Sequence, residues 1–472
     1  MARARIARSL AALAVFTVTM GVATQALAAP PHWTTVTITA DPHDHESARV
    51  SGNRVVWDGL DAAGHTQVFT WKAGDSAPTT LTTGATDHIV PQVYGDRVVW
   101  RAGGIPRQIV TWKAGDSKPT TLTTDLTDHG GPQVSGDRVI WIGGNLDQRV
   151  FTWKSGDSQQ TTFTTDSGIH LSPEVSGDRI VWLKKLGATS YALMTQKVGD
   201  AEPTTLTTNV DPTQYPQVSG DRVVWETMAG HDQIVTWKAG DSKPTTLTTD
   251  EHDHGNAQVS GDRIVWQVSD GTHPQIATWK AGDSKPTTLT TGPRDQEFPQ
   301  VSGDRVVWQG FDGRERIYTW RAGDSRPTTL TTDALTYSQP YVSGDRIVML
   351  GGGTHIQVFS AVLVPSFTSL TIKTSASTSQ IGKQFILSGL CFPSPALVGR
   401  PMHVDVKKPG KSYWSYSSNR TIYAGYGGEA SWQYKYTLKS GMPKGTYQFR
   451  AVYAADASYA NGMSVTVSVV VH

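Results

Sequence analysis

The stretch Pro132-Gln133-Val134-Ser135-Gly136-Asp137-Arg138-Val139-Ile140-Trp141, followed by Thr152-Trp153-Lys154-Ser155-Gly156-Asp157-Ser158, decides how the rest of the chain is interpreted. Close copies of it recur every 41 to 43 residues. The glycine of the first turn marks each copy, at Gly52, Gly95, Gly136, Gly177, Gly220, Gly261, Gly303 and Gly344. A unit of this length, rich in β-branched residues and Gly-Asp turns, is typical of the blades of a β-propeller.

Each unit predicts four short antiparallel strands joined by hairpin turns. Strand a is the Pro-Gln-Val-Ser segment, strand b is Asp-Arg-Val-Val-Trp, strand c is Ile-Val-Thr-Trp-Lys and strand d is Thr-Thr-Leu-Thr-Thr. Thirteen Trp residues recur in strands b and c, among them Trp57, Trp71, Trp225 and Trp320. Their fixed positions predict packing between blades, with stacking on a ligand as the alternative.

The two ends of the repeat region complement each other. Residues 34–39 match a strand d but have no complete unit before them, and the eighth unit lacks a strand d of its own. We therefore expect the first strand to complete the last blade, which leaves only short, protected sheet edges. The predicted fold is all-β, with an eight-bladed propeller over residues 29–365. A seven-bladed ring is the alternative if the last copy does not join it.

The repeats resemble the TolB-type (PD40-like) propeller repeats of secreted and surface proteins. The Pro-Gln-Val-Ser-Gly-Asp-Arg-Val-Val-Trp and Gly-Asp-Ser-Lys-Pro-Thr-Thr-Leu-Thr-Thr motifs carry the resemblance over residues 33–364. It implies the fold but no particular activity, since such propellers serve as binding platforms, scaffolds and occasionally enzymes.

Residues 366–472 lack the repeat and alternate aromatic with polar residues instead, as in Trp432, Tyr434 and Tyr436. The segment Gly445-Thr446-Tyr447-Gln448-Phe449 resembles the tyrosine corner of immunoglobulin-like domains. Together with residues 449–456 it predicts a bacterial Ig-like β-sandwich. Its aromatic residues are expected in the core rather than on a sugar-binding surface.

The N-terminus indicates export. Residues 1–28 combine three arginines, an apolar stretch and an Ala-Leu-Ala cleavage site, which predicts a secretory signal peptide. The remaining chain would carry a net charge of −2, which argues against binding nucleic acid or anionic membranes. No later segment predicts a membrane span, and we expect a secreted monomer. Cys391, the single cysteine, is expected to be a buried apolar residue rather than a catalytic thiol.

Strand order predicts two unlike faces of the disc. The a–b and c–d turns barely vary between copies, whereas the d–a and b–c loops differ in length and chemistry. Eleven of the fourteen histidines fall in the variable loops. A broken ring of acidic and imidazole side chains recurs at the start of strand a, and its members are our predicted ligand-binding residues: Asp44, His45, Asp87, His88, Asp128, His129, His170, Asp253 and His254.

Three interpretations of this ring compete. Asp can cap the d–a turn while His packs between blades. The histidines can bind a metal, although neighbouring blades lie ~10 Å apart and Zn–N bonds are ~2.0–2.1 Å. The ring can also form a polar rim for a sugar or protein, which would titrate near the ordinary histidine pKa of ~6.5. We expect no metal and no cofactor.

Local motifs for catalysis are missing: no serine-histidine-aspartate signature, phosphate loop or Cys-His metal spacing is present. The predicted function is therefore a secreted, non-enzymatic binding or scaffold protein. Its expected partners are an extracellular polysaccharide, cell-wall material or another protein. The alternative is an extracellular lyase or hydrolase acting on polysaccharide through Asp and His of the variable face.

Overall fold

The computed structural model describes residues 32–208, 210, 215–269, 271–364, 366–367, 369–370, 372–392, 401–421, 423–424, 430–453, 459–460, 462–464 and 466–472. The predicted signal peptide and residues 454–456 of the Ig-like motif lie outside this part of the chain. No helix long and apolar enough to cross a membrane occurs in the described part.

Two compact units divide the chain, one from Trp33 to Leu363 and one that includes Val364 to His472. The strands of the first unit are β1 (His32–Thr37), β2 (His45–Ser51), β3 (Arg54–Leu60), β4 (Thr66–Lys72), β5 (Thr79–Thr80), β6 (His88–Tyr94), β7 (Arg97–Ala102), β8 (Gln108–Lys113), β9 (Thr120–Thr121), β10 (His129–Ser135), β11 (Arg138–Gly143), β12 (Arg149–Lys154), β13 (Thr161–Thr162), β14 (His170–Ser176), β15 (Arg179–Lys185), β16 (Tyr191–Lys197), β17 (Thr204–Thr207), β18 (Gln217–Ser219), β19 (Arg222–Ala229), β20 (His231–Lys238), β21 (Thr245–Thr246), β22 (Asp253–Ser260), β23 (Arg263–Ser269), β24 (Gln275–Lys280), β25 (Thr287–Thr288), β26 (Gln296–Ser302), β27 (Arg305–Phe311), β28 (Glu315–Arg321), β29 (Thr328–Thr329), β30 (Thr336–Ser343), β31 (Arg346–Gly352) and β32 (Ile356–Val364).

These strands form eight four-stranded sheets within the described residues, here numbered 1 to 8 from β2 onward. Seven sheets follow chain order from an inner strand a to an outer strand d. The eighth has the order β1-β32-β31-β30, so the N-terminal strand is its outer strand. Each inner strand neighbours the next, and β30 neighbours β2, which closes the ring. The chain is thus an all-β propeller whose first strand completes its last sheet.

Hydrogen bonds at β1 repeat those of the other outer strands. Ile38 N–H donates to the Val358 carbonyl at 2.8 Å, and Val358 N–H donates to Thr39 Oγ1 at 2.9 Å. Thr82 Oγ1 accepts from Val68 N–H in the same way within sheet 1, at 2.9 Å. The start of the chain therefore satisfies buried backbone groups that sheet 8 would otherwise leave without partners.

Neighbouring sheets are joined by an arginine at the start of strand b. Its guanidinium donates to the aspartate of the next sheet's a–b turn, with N–O distances of 2.7 to 3.1 Å. The seven pairs are Arg54–Asp96, Arg97–Asp137, Arg138–Asp178, Arg179–Asp221, Arg222–Asp262, Arg263–Asp304 and Arg305–Asp345. All seven arginines are buried. The Asp-Arg motif thus belongs to the scaffold, with its two residues engaging different neighbours.

Most of these arginines also lie over an aromatic ring of the next sheet. Arg54, for example, lies 5.4 Å from the Trp112 ring centre, within the range of a cation–π contact. Sheet 8 has Ala361 where other sheets carry the strand c Trp, and Trp33 of β1 takes its place over Arg305 at 4.9 Å. The strand b Trp side chains are at most 2% exposed, so these recurrent Trp pack in the core as predicted.

The seam between sheets 8 and 1 differs from the others by one residue. Asn53 stands at the aspartate position, and Arg346 donates to its Oδ1 at 3.4 Å. The Nε–H of Arg346 is buried without an acceptor among the described residues. The Gly52 N–H still donates to Ser343 Oγ at 2.8 Å, as the turn glycines of most other sheets do to the preceding serine. The ring therefore closes with the usual geometry but with a weaker charge interaction.

The second unit contains β33 (Ser366–Phe367), β34 (Ser369–Leu370), β35 (Lys373–Thr374), β36 (Thr378–Ser379), β37 (Gln384–Phe392), β38 (Pro401–Lys407), β39 (Ser415–Thr421), β40 (Tyr423–Ala424), β41 (Ala430–Thr437), β42 (Gly445–Tyr453), β43 (Tyr459–Ala460), β44 (Gly462–Met463) and β45 (Val467–Val471). Sheets built around β37–β41 and β38–β42–β45 share one core, in which Trp432, Phe449 and Cys391 are buried. Tyr447 Oη–H donates to the Pro443 carbonyl at 2.8 Å, the bond expected of a tyrosine corner. The Ig-like assignment itself stays a prediction.

Replacing Thr39 with valine tests the closure of the ring. The variant leaves the buried Val358 N–H without its acceptor, which we expect to cost about 1–3 kcal/mol of unfolding free energy. Denaturant unfolding followed by Trp fluorescence measures this loss. Thr37→Val is the control, because Thr37 is exposed at the end of β1, two residues before Thr39, and its replacement is expected to change stability by less than about 0.5 kcal/mol. Equal effects of the two variants would contradict closure through β1.

Replacing Asn53 with aspartate tests the weak seam. The new carboxylate faces Arg346 as the other seven aspartates face their arginines, so we expect a gain of about 0.2–1 kcal/mol at pH 7 in low salt. The gain should vanish on acidification through the carboxyl pKa of ~4, because the protonated side chain no longer pairs. Thermal unfolding at both pH values measures it, with Asn53→Ala as the control. Destabilisation by Asn53→Asp would argue against an open ion-pair position at this seam.

Candidate functional site

Antiparallel pairing places the loops of each sheet at two opposite edges. The a–b and c–d turns, such as residues 51–54, form what we call the constant face, and the d–a and b–c loops form the variable face. Contacts between sheets keep this separation: Arg54 bonds Asp96 on the constant face, and Thr66 N–H donates to Asp87 Oδ1 on the variable face. The predicted division of the disc into two unlike faces therefore holds in the structure.

The predicted histidines lie at the start of the inner strands, inside the propeller. His45, His129, His170 and His254 are at most 3% exposed, and His88 is half-buried. Nδ1 of His254 accepts a hydrogen bond of 3.0 Å from Trp266 Nε1–H, and its Nε2 lies 2.8 Å from Asp250 Oδ1. His45 repeats the arrangement with Trp57 and Asp41. His45 and His254 thus link the strand b Trp to the d–a loop, whereas Nδ1 of His129 and of His170 is buried without a hydrogen-bond partner among the described residues.

Where histidine is missing, Gln296 and Tyr337 each make one of these two contacts. Trp308 Nε1–H donates to Gln296 Oε1 at 2.6 Å, and Tyr337 Oη–H donates to Asp333 Oδ2 at 2.8 Å. The glycine paired with the histidine on strand b leaves space for the imidazole, because a Cβ on Gly59 would lie 2.3 Å from His45 Nδ1. Burial lowers the pKa of His45, His88 and His170, which favours their neutral form. This placement favours the packing interpretation over a ligand rim.

The predicted aspartates do not pair with the adjacent histidines. Each turns instead to the b–c loop of the preceding sheet. Asp128 accepts from the backbone N–H of Arg107 at 2.8 Å and pairs with its guanidinium, and Asp253 lies 3.0 Å from His231 Nδ1. Asp44 accepts from Ile356 N–H at 2.8 Å, which joins sheet 1 to sheet 8. Asp44, Asp87, Asp128 and Asp253 therefore join loops of neighbouring sheets on the variable face.

A bulge in the inner strand brings a different set of side chains to the centre of the ring. At Ser47, Val90, Gly131, Ser172, Asn256, Phe298 and Gln339 the backbone adopts a φ between 49° and 57°. Such angles are strained for residues other than glycine and are often associated with function. The register of strands a and b shifts here, for example between Gly255 and Gln258.

Two residues after the bulge, one half-buried side chain per sheet lines the middle of the ring. We call this set the central ring: Arg49, Gln92, Gln133, Glu174, Gln217, Gln258, Gln300 and Tyr341. Gln133 Nε2–H donates to Glu174 Oε1 at 2.9 Å, and the Arg49 guanidinium lies 3.9 Å above the Tyr341 ring. Five glutamines, one arginine, one glutamate and one tyrosine make the central ring asymmetric.

The position after the strand b Trp supports the bulge of the next sheet. Asp58 accepts from Val90 N–H at 2.7 Å, Glu226 accepts from Ala257 N–H at 2.9 Å, and Gln309 accepts from Gln339 N–H at 3.3 Å. Glu226 is half-buried, and backbone N–H groups of sheet 6 hold its carboxyl through hydrogen bonds. Its place at the wall of the central opening is thus set by two sheets.

Cavities open around this centre on the variable face. One, of about 450 Å³, is lined by Glu174, Tyr215, Gln217, Glu226, Asn256 and Gln258. A second, of about 480 Å³, shares Asn256 and Gln258 with the first, and a third, of about 440 Å³, shares Ser338 and Gln339 with the second. We call the three together the central depression. Tyr215 is 65% exposed at its wall, which leaves the aromatic ring free to contact a ligand.

Two carboxyl groups that line the first cavity have raised pKa values. Burial raises the pKa of Glu174 to about 8, against the opposing effect of the positive charge on Arg49. Burial likewise raises the pKa of Glu226 to about 7, although hydrogen bonds from Ala257 and Asn256 oppose this, and the Asp232 charge adds to it. Titratable groups with raised pKa values in a cavity are typical of binding and catalytic sites.

Sequence analysis missed these residues because it compared the repeats at the histidine position alone. Comparison at the position of Gln133 would have shown Glu174 as the single carboxylate among five glutamines. The described part of the chain contains no cluster of three or more His, Cys, Asp or Glu suited to a metal. Three of the predicted histidines, His45, His88 and His254, already accept hydrogen bonds from Trp side chains.

Comparison with solved structures finds proteins of similar fold. No family model matches the chain, and no curated protein does. The chain is similar to a puromycin-hydrolyzing peptidase from Mycobacterium tuberculosis (14% identity, TM-score 0.48), covering 66% of this chain and 57% of the peptidase. It is similar to the β-propeller domain of the Trilobed protease from Pyrococcus furiosus (11%, 0.46), covering 61% and 98%. It is also similar to TolB from Acinetobacter baumannii (11%, 0.35), covering 71% and 80%.

Substitution of His254 separates the scaffold role from a ligand role. His254→Gln keeps an acceptor for Trp266, as Gln296 does for Trp308, so we expect little loss of stability. His254→Leu leaves the Trp266 Nε1–H unpaired and should cost about 1–3 kcal/mol. Denaturant unfolding measures both variants, and neither should weaken ligand binding beyond its effect on folding. Loss of binding by a stable His254→Gln protein would make His254 a ligand residue.

Proposed function

We propose that this protein is a secreted, non-enzymatic binding protein that recognises an extracellular polysaccharide through the central depression of its propeller. The observation that carries the proposal is the lining of that depression, where amide and carboxyl side chains lie in the same cavity as the exposed ring of Tyr215. Planar amides and carboxylates bond sugar hydroxyls, and an aromatic ring packs against the apolar face of a sugar. The N-terminal segment supports secretion.

The constant face supports the assignment by contrast. The recurrent polar side chains of its a–b turns are engaged within the propeller, as in the Arg54–Asp96 pair and the bond from Gly95 N–H to Ser51 Oγ. On the variable face, Tyr215 and the central ring meet the solvent-filled opening. A ligand on that side would find polar groups that are positioned by the backbone and still have bonding capacity, which lowers the entropic cost of binding.

A second candidate, docking of a protein, is favoured by apolar loop ends of the variable face. Ile105, Leu126 and Leu146 are 87% to 91% exposed in neighbouring loops. Arg107 bonds Asp128, and Asp128 N–H donates to Asn145 Oδ1, so these loops are held together. Clustered exposed aliphatic side chains are typical of protein contact surfaces. This surface lies away from Tyr215 in the chain, so the two candidates involve different residues.

Replacement of Tyr215 tests the polysaccharide proposal. The purified chain is applied to immobilised neutral, acidic and amino polysaccharides and to cell-wall material, and soluble products are measured in the same samples. We expect retention without product, and Tyr215→Ala should weaken it about tenfold, or ~1.4 kcal/mol. Tyr94→Ala is the matched control, since Tyr94 is 51% exposed on the constant face.

Other results would overturn the proposal in distinct ways. Retention of no polysaccharide would exclude glycan binding and leave the apolar loops as the candidate surface. Release of soluble product would replace a binding role with the polysaccharide-active enzyme. Equal weakening by Tyr94→Ala and Tyr215→Ala would show that the central depression is not the contact site.

A further inference from the structure

Several carboxyl groups without a cationic partner in the described part of the chain line the central depression. The linings of its three cavities include Glu46, Glu174, Glu226 and Glu315, and no lysine or arginine. Among the described residues none of these four carboxyls lies in an ion pair, whereas the turn aspartates of seven sheets each face a buried arginine. The depression is therefore complementary to a positively charged ligand.

Glu174 and Glu226 are placed by the fold rather than by mutual contact. Glu174 occupies a central-ring position where five other sheets carry glutamine, and the Gln133 amide fixes one of its oxygens at 2.9 Å. Glu226 is fixed through its Oε1 by Ala257 N–H at 2.9 Å. Both carboxyls line the same cavity.

We propose that the central depression binds a glycan that carries primary ammonium groups, a polymer of de-N-acetylated amino sugars, with Glu174 and Glu226 as the carboxylates that contact the ammonium. This inference rests on the proposed polysaccharide-binding function and names its ligand class. Tyr215, Gln217, Asn256 and Gln258 surround the two carboxyls with groups suited to a sugar ring and its hydroxyls. A bare alkylamine would leave these groups without partners.

The surroundings of Glu174 and Glu226 determine whether these two carboxyls are protonated. Arg49, across the opening, stacks on Tyr341 and opposes the burial of Glu174, and Asp232 adds negative charge near Glu226. Burial dominates and raises both carboxyl pKa values to about 8 and about 7. The empty site therefore holds protons near pH 7, and a bound ammonium, which favours the charged carboxylates, displaces them. Binding should release protons from these two groups.

A pair of sugar tetramers that differ only at the nitrogen, which is a free amine in one and an acetamide in the other, tests the inference. Calorimetry at pH 7 compares a glucosamine tetramer with an N-acetylglucosamine tetramer on the full chain, in two buffers of different ionisation enthalpy. We expect the free amine to bind at least tenfold tighter. Glu174→Gln, which restores the residue of five other sheets, and Glu226→Gln should each remove most of this preference and lower the protons released relative to the unsubstituted chain.

Matched controls separate the carboxyls from a general effect of charge. Glu202→Gln removes an exposed carboxyl in a c–d turn of the constant face and should leave affinity, preference and proton release unchanged. Thermal unfolding of each variant checks that the propeller remains folded. Tetralysine, which offers ammonium groups without hydroxyls, should bind more weakly than the glucosamine tetramer. Tighter binding of tetralysine would overturn the sugar assignment and indicate a basic peptide.

The outcomes distinguish this inference from the function on which it rests. Equal binding of the two tetramers, or a preference that survives in Glu174→Gln and Glu226→Gln, would overturn the ammonium inference while glycan binding stands. Binding of neither tetramer, together with no polysaccharide retained in the wider screen, would overturn both.

Discussion

The contact between a buried arginine of one sheet and the turn aspartate of the next is the interaction on which this propeller depends. Each guanidinium lies between that carboxylate, a Thr hydroxyl of its own strand c and, in most sheets, an aromatic ring of the next sheet, as Arg54 does with Asp96, Thr70 and Trp112. Removing either partner would leave a desolvated charge, so the pairs fix how sheets meet more than they add net stability. Because seven of the eight seams use the same contact, the ring is built by repetition and needs special residues only where its ends meet.

The closure of the ring shows which contacts the last sheet must obtain from the N-terminal strand. The last copy carries neither an outer strand nor the strand c Trp, and β1 supplies both, with Trp33 over Arg305 and Thr39 bonded to Val358. Sheet 4 shows a smaller adjustment. Gln196 replaces a strand c Trp, and its Nε2–H donates to the Asp200 carbonyl at 2.8 Å, the bond that Trp71 makes to the Asp75 carbonyl at 3.1 Å. A residue that departs from the repeat can therefore keep the same contact. Only the contact in the structure shows whether such a difference is structural or functional.

The same distinction explains the fate of the predicted ring of Asp-His pairs. Recurrence in the sequence marked these positions, but it carries no information on the direction of their side chains. Adjacent residues at the start of a strand point to opposite sides, so His254 enters its own sheet while Asp253 contacts the preceding one. Glu174 and Glu226, in contrast, lie 52 positions apart and differ from their repeat equivalents, and the inner-strand bulge together with the curvature of the ring brings both into one cavity.

The sequence by itself determined the repeat length, the four-strand unit, the pairing of the first strand with the last unit and the separation of constant from variable loops. These follow from local properties: alternation of side chains, turn residues and the count of strands. The tertiary structure alone decided which polar side chains face solvent, because burial depends on where neighbouring sheets contact each other. It also decided which carboxyls lack a cation, since Asp262 meets Arg222 of the preceding sheet whereas no described basic side chain pairs with Glu174. Partners from separate repeats are set by the curvature of the closed ring, and no local pattern encodes them.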